Sequence, residues 1–175
     1  MSSIHDLGVL TSEGDQWSLT FTRRFAHAPD KVWRAVTEPE HLAAWFPQRI
    51  EGEWKEGATL RFVTDEGDGF DGEVVEFDPP SVLEIMWGTD RLRIEVRADG
   101  DGTLLMLRDT FAELGKAARD GAGWHECLAH LARHLDGAPT VKWGAEWLDL
   151  FSRYEQALGP EASTLGPPEG WTPDS

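Results

Sequence analysis

Two hydrophobic periodicities alternate along the chain and predict a mixture of strands and helices. Near the start, Trp17, Leu19 and Phe21 alternate with serine and threonine, which is the period-two pattern of a half-buried strand. Residues 7–11 form a candidate short strand before it. Beyond residue 48, apolar runs separated by turns rich in Gly, Asp and Pro predict six strands, at residues 49–54, 59–63, 70–77, 82–87, 91–97 and 103–111. Strands this short and closely spaced predict an antiparallel meander.

The predicted sheet has one apolar and one charged face. In the strand over residues 91–97, Leu92, Ile94 and Val96 alternate with arginine and glutamate. This alternation is typical of an antiparallel sheet that is covered on one side only. The same parity places Asp109 with Leu105 and Leu107, so we expect this carboxyl group to point inward.

Helical spacing follows the first confident strand. Pro29 favours a helix start, and the apolar residues after it recur at helical intervals. The sequence Thr37-Glu38-Pro39 predicts a break, because a proline disfavours helical backbone at the residue before it. Pro47 then ends a second helix. Two short helices joined by a tight turn are therefore expected between the first strand and the meander.

A long helix is predicted within residues 112–137. Trp124, Leu128, Leu131 and Leu135 form one apolar stripe, and Asp136-Gly137 is a favourable helix end. A further helix follows and ends at Gly159-Pro160. Its Trp143 and Trp147 are interpreted as packing residues or a dimer contact. The predicted organisation is an N-terminal extension over 1–14 with a possible short strand, a single domain over 15–159, and a disordered tail over 160–175.

Composition narrows the class of protein. A chain of 175 residues is sized for one domain. Its single cysteine excludes an intrachain disulfide framework and a four-thiolate zinc site. The sequence contains neither a signal-peptide pattern nor an apolar run long enough for a membrane span, so a cytoplasmic protein is expected. The formal charge of −16 argues against binding nucleic acid or an anionic membrane.

Several segments resemble a known family. They are FAHAPDKVWRAVTEPEHLAAWF at residues 25–46, GEVVEFDPP at residues 72–80, and a helix that begins near Gly123-Trp124 and ends in HLDG at residues 134–137. Over residues 7–158 the chain resembles heat-shock protein 90 ATPase-activator homologue-like domains. These belong to the START-related polyketide cyclase (SRPBCC) superfamily, which has the helix-grip fold of the birch-pollen allergen. The resemblance implies an α+β fold in which a curved antiparallel sheet of about six to seven strands surrounds a long C-terminal helix.

The resemblance also implies a cavity between the sheet and the long helix. Its expected lining comes from the concave sheet face, the long helix and the end of the second short helix. These residues are Val74, Leu83, Ile85, Trp87, Leu92, Ile94, Leu105, Leu107, Asp109, Trp124, Cys127, Leu128, Leu131, Trp45 and Phe46. The alternative is that the same side chains simply fill the core. An acid buried at Asp109 would have a raised pKa and could move a proton or orient a ligand.

Other chemistry receives weaker support from the sequence. Cys127 is interpreted as a small buried thiol, because a nucleophilic cysteine needs a lowered pKa and a base. A metal site built from Cys127, His130 and His134 is an alternative to ordinary histidines on a polar helix flank. We expect neither a metal nor a cofactor. Phosphate-loop, dinucleotide and serine-hydrolase motifs are absent from the sequence.

The leading functional expectation is binding of a small apolar or aromatic molecule, without catalysis, by a monomer or homodimer. The first alternative is a cyclase- or hydrolase-like enzyme that uses the same pocket, with Asp109 or a histidine moving a proton. The second alternative, which only the family resemblance suggests, is a chaperone-associated partner. The eukaryotic activators carry an additional N-terminal domain, whereas 14 residues precede the first confident strand here.

Overall fold

Eight antiparallel strands form one sheet in the computed structural model, which describes residues 7–166. The strands are β1 (Val9–Glu13), β2 (Gln16–Phe25), β3 (Arg49–Glu51), β4 (Thr59–Val63), β5 (Gly69–Asp78), β6 (Val82–Trp87), β7 (Asp90–Asp99) and β8 (Gly102–Phe111). Their order is β1-β2-β8-β7-β6-β5-β4-β3. The meander from β3 to β8 is therefore as predicted, and β2 returns to pair with β8.

The sheet has one strand more than the upper end of the predicted range. β1 pairs with β2 along its length, with Val9 opposite Thr20 and Glu13 opposite Gln16. Most β1 side chains are exposed. An edge strand held chiefly by backbone hydrogen bonds gives only a weak hydrophobic pattern, which is why the sequence marked it as a candidate only.

Two short helices, α1 (Pro29–Thr37) and α2 (Pro39–Leu42), connect β2 to β3. A proline stands at the start of each helix, and Glu38 between them has extended backbone, as expected for a residue before proline. The Trp45 indole is fully buried and donates from Nε1 to the carbonyl oxygen of Ala35 at 2.9 Å. This hydrogen bond attaches the chain after α2 to α1.

The long helix α3 (Ala117–Leu135) packs on the apolar face of the sheet. Its predicted stripe, Trp124, Leu128, Leu131 and Leu135, is buried. The helix ends before Gly137, whose φ of 68° is the left-handed conformation that favours glycine after a helix. Among residues 7–166, no helix combines the length and apolar character that a bilayer span requires.

A further helix, α4 (Trp147–Leu158), packs against α3 through Tyr154. The Tyr154 hydroxyl accepts a hydrogen bond from the backbone N–H of Gly8 at 2.8 Å and lies 3.0 Å from Nδ1 of His125. Gly121 permits this approach, because a Cβ atom there would lie 2.9 Å from the Tyr154 ring. One tyrosine thus connects α4, α3 and the segment before β1.

Residues 160–166 differ from the predicted disordered tail. Pro160–Ala162 form a 3₁₀ turn, and Ala162 is only 1% exposed. The N–H of Leu165 then donates to the carbonyl oxygen of Gly115 at 3.1 Å. The polar composition concealed these few backbone and small-residue contacts. Residues 167–175 of the predicted tail, and residues 1–6 of the predicted extension, lie outside the described residues.

Candidate functional site

An open cleft of about 760 Å³ lies at one end of the interface between the sheet and α3. Five segments surround it: the chain between α2 and β3, the β4–β5 turn, the end of β6, the first half of α3 and the chain around the start of α4. Its lining consists of Pro47, Gln48, Asp65, Glu66, Trp87, Arg119, Asp120, Gly123, Trp124, Glu126, Cys127, Trp143, Gly144 and Trp147. The cleft is thus framed by five separate segments of the chain.

Trp87 and Trp124 form one wall of the cleft. Their ring centroids are 5.0 Å apart and their planes meet at 62°, an edge-to-face arrangement that aromatic rings favour. The Trp87 indole is oriented by a hydrogen bond from Nε1 to Oε1 of Gln48 at 2.9 Å. The two rings therefore offer a fixed aromatic corner.

Trp143 and Trp147 come from the other side of the cleft. Trp143 is 41% exposed and packs on the His130 ring, with 3.9 Å between the centroids. Trp147 is largely buried and stacks on Phe151 at 5.0 Å. The sequence predicted that these two residues serve in packing, and their contacts agree. It did not predict that both also line the cleft. Trp87, Trp124, Trp143 and Trp147 are called the cleft tryptophans below.

The predicted lining residues divide into two groups. Trp87, Trp124 and Cys127 line this cleft. The others are buried in the core and do not line it: Trp45, Phe46, Val74, Leu83, Ile85, Leu92, Ile94, Leu105, Leu107, Asp109, Leu128 and Leu131. Aromatic rings fill the centre of the interface, because Phe46 lies 5.7 Å from Trp124 and 6.2 Å from Phe62 between centroids. This cleft therefore lies to one side of the filled centre.

Three carboxyl groups converge beside the cleft, and one of them, Asp120, belongs to its lining. Oxygen atoms of Asp90, Asp109 and Asp120 all lie within 4.8 Å of one another. The ammonium group of Lys116 lies 2.6 Å from Oδ2 of Asp90 and 3.5 Å from Oδ2 of Asp120. Such a group of acids can hold a cation, and Lys116 already supplies one.

Asp109 is the most deeply placed of these acids, as the strand parity predicted. Its side chain is 0% exposed, and only its Oδ2 accepts a hydrogen bond, from Nε1 of Trp124 at 3.3 Å. Burial raises the pKa of Asp109 well above its usual value, and the nearby charges of Asp90 and Asp120 raise it further. Both influences favour the protonated form of Asp109. Burial also raises the pKa of Asp120.

Cys127, His130 and His134 do not converge on a common point. The Cys127 thiol is buried, and burial raises its pKa, so it lacks the thiolate that nucleophilic attack requires. His134 lies 2.8 Å from His41 through ring nitrogens, whereas His130 packs on Trp143. The helical spacing that suggested a shared site thus serves two separate contacts.

Several cleft residues were not anticipated from the sequence. They are Pro47, Gln48, Asp65, Glu66, Arg119, Asp120, Gly123, Glu126 and Gly144. Glu126 accepts a hydrogen bond from the backbone N–H of Gly144 at 2.7 Å, and burial raises its pKa. This bond secures the segment before α4 against α3. Among these residues, Asp120 is the one with a sequence signal, because its i, i+4 spacing from Lys116 predicts an ion pair on one helix face.

Comparison with known families assigns the chain. Residues 26–136 match the activator of Hsp90 ATPase homolog 1-like protein family. The chain belongs to this family. The match begins before α1 and ends just after α3. It therefore includes Trp124 and Cys127 on α3, but not Trp143 or Trp147. Membership in the family gives neither a ligand nor a reaction.

Solved structures show the same fold. The chain is similar to EF2215 from Enterococcus faecalis, a conserved protein of unknown function, with a TM-score of 0.74 and 20% identity over 86% of this chain and 90% of that one. CalU16 from Micromonospora echinospora gives a TM-score of 0.69 and 24% identity over 90% of this chain and 96% of that one. DynU16, from the dynemicin biosynthetic locus, gives 0.63 and 27% identity over 70% of this chain and 48% of that one. No curated protein matches the chain in sequence.

Proposed function

We propose that this protein binds a small apolar or aromatic molecule in the cleft. The observation that carries the proposal is the presence of four tryptophans around one cleft of about 760 Å³. Small-molecule sites are concave, largely apolar and a few hundred to a thousand cubic ångströms in volume, with a few polar groups that fix orientation. The cleft meets this description, with Gln48 and the acids as its polar groups.

The aromatic corner of Trp87 and Trp124 favours a flat ligand. A planar ring that stacks on one of these indoles meets the edge of the other, because their planes are inclined at 62°. Both stacked and edge-to-face contacts stabilise aromatic pairs beyond the area that they bury. Trp143 supplies an accessible ring on the other side. A ligand of one to three fused rings suits this arrangement.

One structural relative supports a small molecule as the ligand. DynU16 comes from a biosynthetic locus, and it shares 27% identity with this chain over 70% of the chain. Binding without covalent chemistry is favoured by the state of Cys127, whose buried thiol holds its proton. We therefore place binding ahead of catalysis.

The test is calorimetric titration with naphthylmethanol, a neutral two-ring probe. We expect saturable binding at one site per chain. Trp143→Ala should weaken it roughly tenfold, because an aromatic contact of about 1–1.5 kcal/mol is removed. Leu148→Ala is the matched control, because Leu148 is 49% exposed nearby but does not line the cleft. Absence of binding, or equal effects of both variants, would contradict the proposal.

A second candidate, an acid–base enzyme, is favoured by Asp109 alone. Its buried carboxyl group accepts a hydrogen bond from Trp124 and has an oxygen atom within 4.8 Å of a carboxyl oxygen of Asp120, which does line the cleft. In this candidate, Asp120 would exchange a proton with the substrate, and Asp109 would supply that proton to Asp120 or take it up. Turnover of a nitrophenyl ester panel that is lost in Asp120→Asn and Asp109→Asn would support this candidate, and unchanged turnover would remove it.

The chaperone-associated alternative rests on the family resemblance alone. Stable binding to a heat-shock ATPase in a purified two-component assay would support it. The absence of such binding would remove it.

A further inference from the structure

The charged side chains around the cleft are predominantly acidic. The carboxylates are Asp65, Glu66, Asp120 and Glu126, whereas Arg119 is the basic residue of the lining. Arg119 is already engaged, because its Nε lies 3.2 Å from Oδ1 of Asp120. The lining therefore has a negative balance beside four indole rings.

We propose that the ligand of this cleft is a cation, an ammonium or amine group carried on an aromatic or alicyclic ring. This inference rests on the proposed function and specifies its ligand class. Two independent features of the cleft support it, namely the indole faces and the positions of the carboxylates.

Indole faces attract cations. The negative face of a tryptophan ring binds an ammonium group more strongly than the face of tyrosine or phenylalanine does. The cleft tryptophans thus bind the ring system and attract its charge with the same surfaces. A half-buried ring such as Trp87 is well suited, because partial removal of water strengthens the attraction.

The carboxylates stand at two depths. Asp65 and Glu66 lie exposed at the rim, and neither forms an ion pair within residues 7–166. Deeper in the cleft, Oδ2 of Asp120 is buried and accepts no hydrogen bond, with the Lys116 ammonium at 3.5 Å. An ammonium group that enters the cleft would first meet the carboxylates of Asp65 and Glu66 at the rim. Deeper in the cleft it would meet Oδ2 of Asp120, which can still accept a hydrogen bond.

The same charges disfavour anions. A carboxylate or phosphate ligand would have to approach four acidic side chains, while the nearby cations are already paired, Arg119 with Asp120 and Lys116 with Asp90 and Asp120. The formal net charge of −16 adds a long-range potential that attracts cations and repels anions. Selectivity therefore arises from repulsion as well as attraction.

The experiment compares three naphthalene probes of nearly equal shape by calorimetry: naphthylmethylammonium, naphthylmethanol and naphthoate. We expect the ammonium probe to bind at least about tenfold more tightly than the alcohol, and naphthoate to bind most weakly. The double variant Asp65→Asn/Glu66→Gln should reduce the ratio of ammonium affinity to alcohol affinity several-fold. A matched control, Glu53→Gln/Asp78→Asn, removes the same charges from exposed positions near the opposite end of the sheet.

Each outcome separates the two proposals. Equal affinity for the ammonium probe and the alcohol would overturn the inference and leave the proposed function intact. Binding of neither probe would overturn both. A preference that falls equally in the two double variants would overturn the assignment to the cleft, since it would report only the net charge of the protein.

Discussion

Replacing Asp109 with asparagine should stabilise the protein, and increasingly so as the pH rises. The Asp109 side chain is fully buried, and its Oδ1 accepts no hydrogen bond. Leaving a buried polar group unsatisfied costs about 1–3 kcal/mol, and more when it is charged. Asparagine has nearly the same shape, and its amide N–H groups can donate to the carboxylates of Asp90 and Asp120, which lie within 4.8 Å.

The sign of the pH dependence follows from the raised pKa of Asp109. Above about pH 4, the unfolded chain releases this proton while the folded protein retains it. The free energy of unfolding therefore falls as the pH rises through the interval between the unfolded and folded pKa values. Asp109→Asn removes this loss, so the variant should gain about 1–3 kcal/mol over the wild type near neutral pH and little near the unfolded pKa.

The assay is urea unfolding followed by tryptophan fluorescence, at several pH values between about pH 4 and about pH 8. The difference between variant and wild type isolates Asp109 from Asp120 and Glu126, whose pKa values are also raised. Asp78→Asn, at an exposed strand end, is the control and should give a flat difference. A variant that is less stable near neutral pH would refute the reasoning, because it would mean that an ionised Asp109 is needed to balance Lys116.

Three further predictions concern other parts of the fold. Cys127 should resist labelling by a disulfide reagent in the native protein and react once urea unfolds it, because burial raises its pKa; rapid native labelling would contradict this. Gly115→Ala should lower the free energy of unfolding by about 1–3 kcal/mol, since its Cβ would lie 1.9 Å from Oγ1 of Thr164, whereas Gly166→Ala, with open space around it, should not. Burial lowers the pKa of His134, so its proton NMR titration should fall below the usual value, and stability should decrease as the pH falls through this range.

Local patterns in the sequence predicted the fold well. The alternation of Leu92, Ile94 and Val96 identified the buried face of β7, and the same parity placed Asp109 inside. Both conclusions depend only on the period of two that every strand imposes. The family resemblance then predicted how these elements are arranged, with a curved sheet around a long helix. The structure confirms the α+β helix-grip architecture.

The site was less predictable from the sequence, because the position of a cleft depends on where side chains leave space unfilled. Side chains such as Phe46 and Leu107 have the apolar character of a pocket lining, yet they fill the centre of the interface. The cleft instead depends on where the chain before α4 places Trp143 against His130. Asp65 reaches the same cleft from a distant turn. No spacing rule connects such positions, since tertiary packing alone brings them together.

The most direct test of the central claim is ¹⁹F NMR of protein labelled with fluorotryptophan and titrated with naphthylmethylammonium. Resonances would be assigned by single Trp→Phe variants. Saturable shifts should be confined to the cleft tryptophans, while Trp33 and Trp54, which pack on Phe77 outside the cleft, should remain unchanged. Shifts at Trp33 and Trp54 with none at the cleft tryptophans, or no saturable shift at all, would contradict the account.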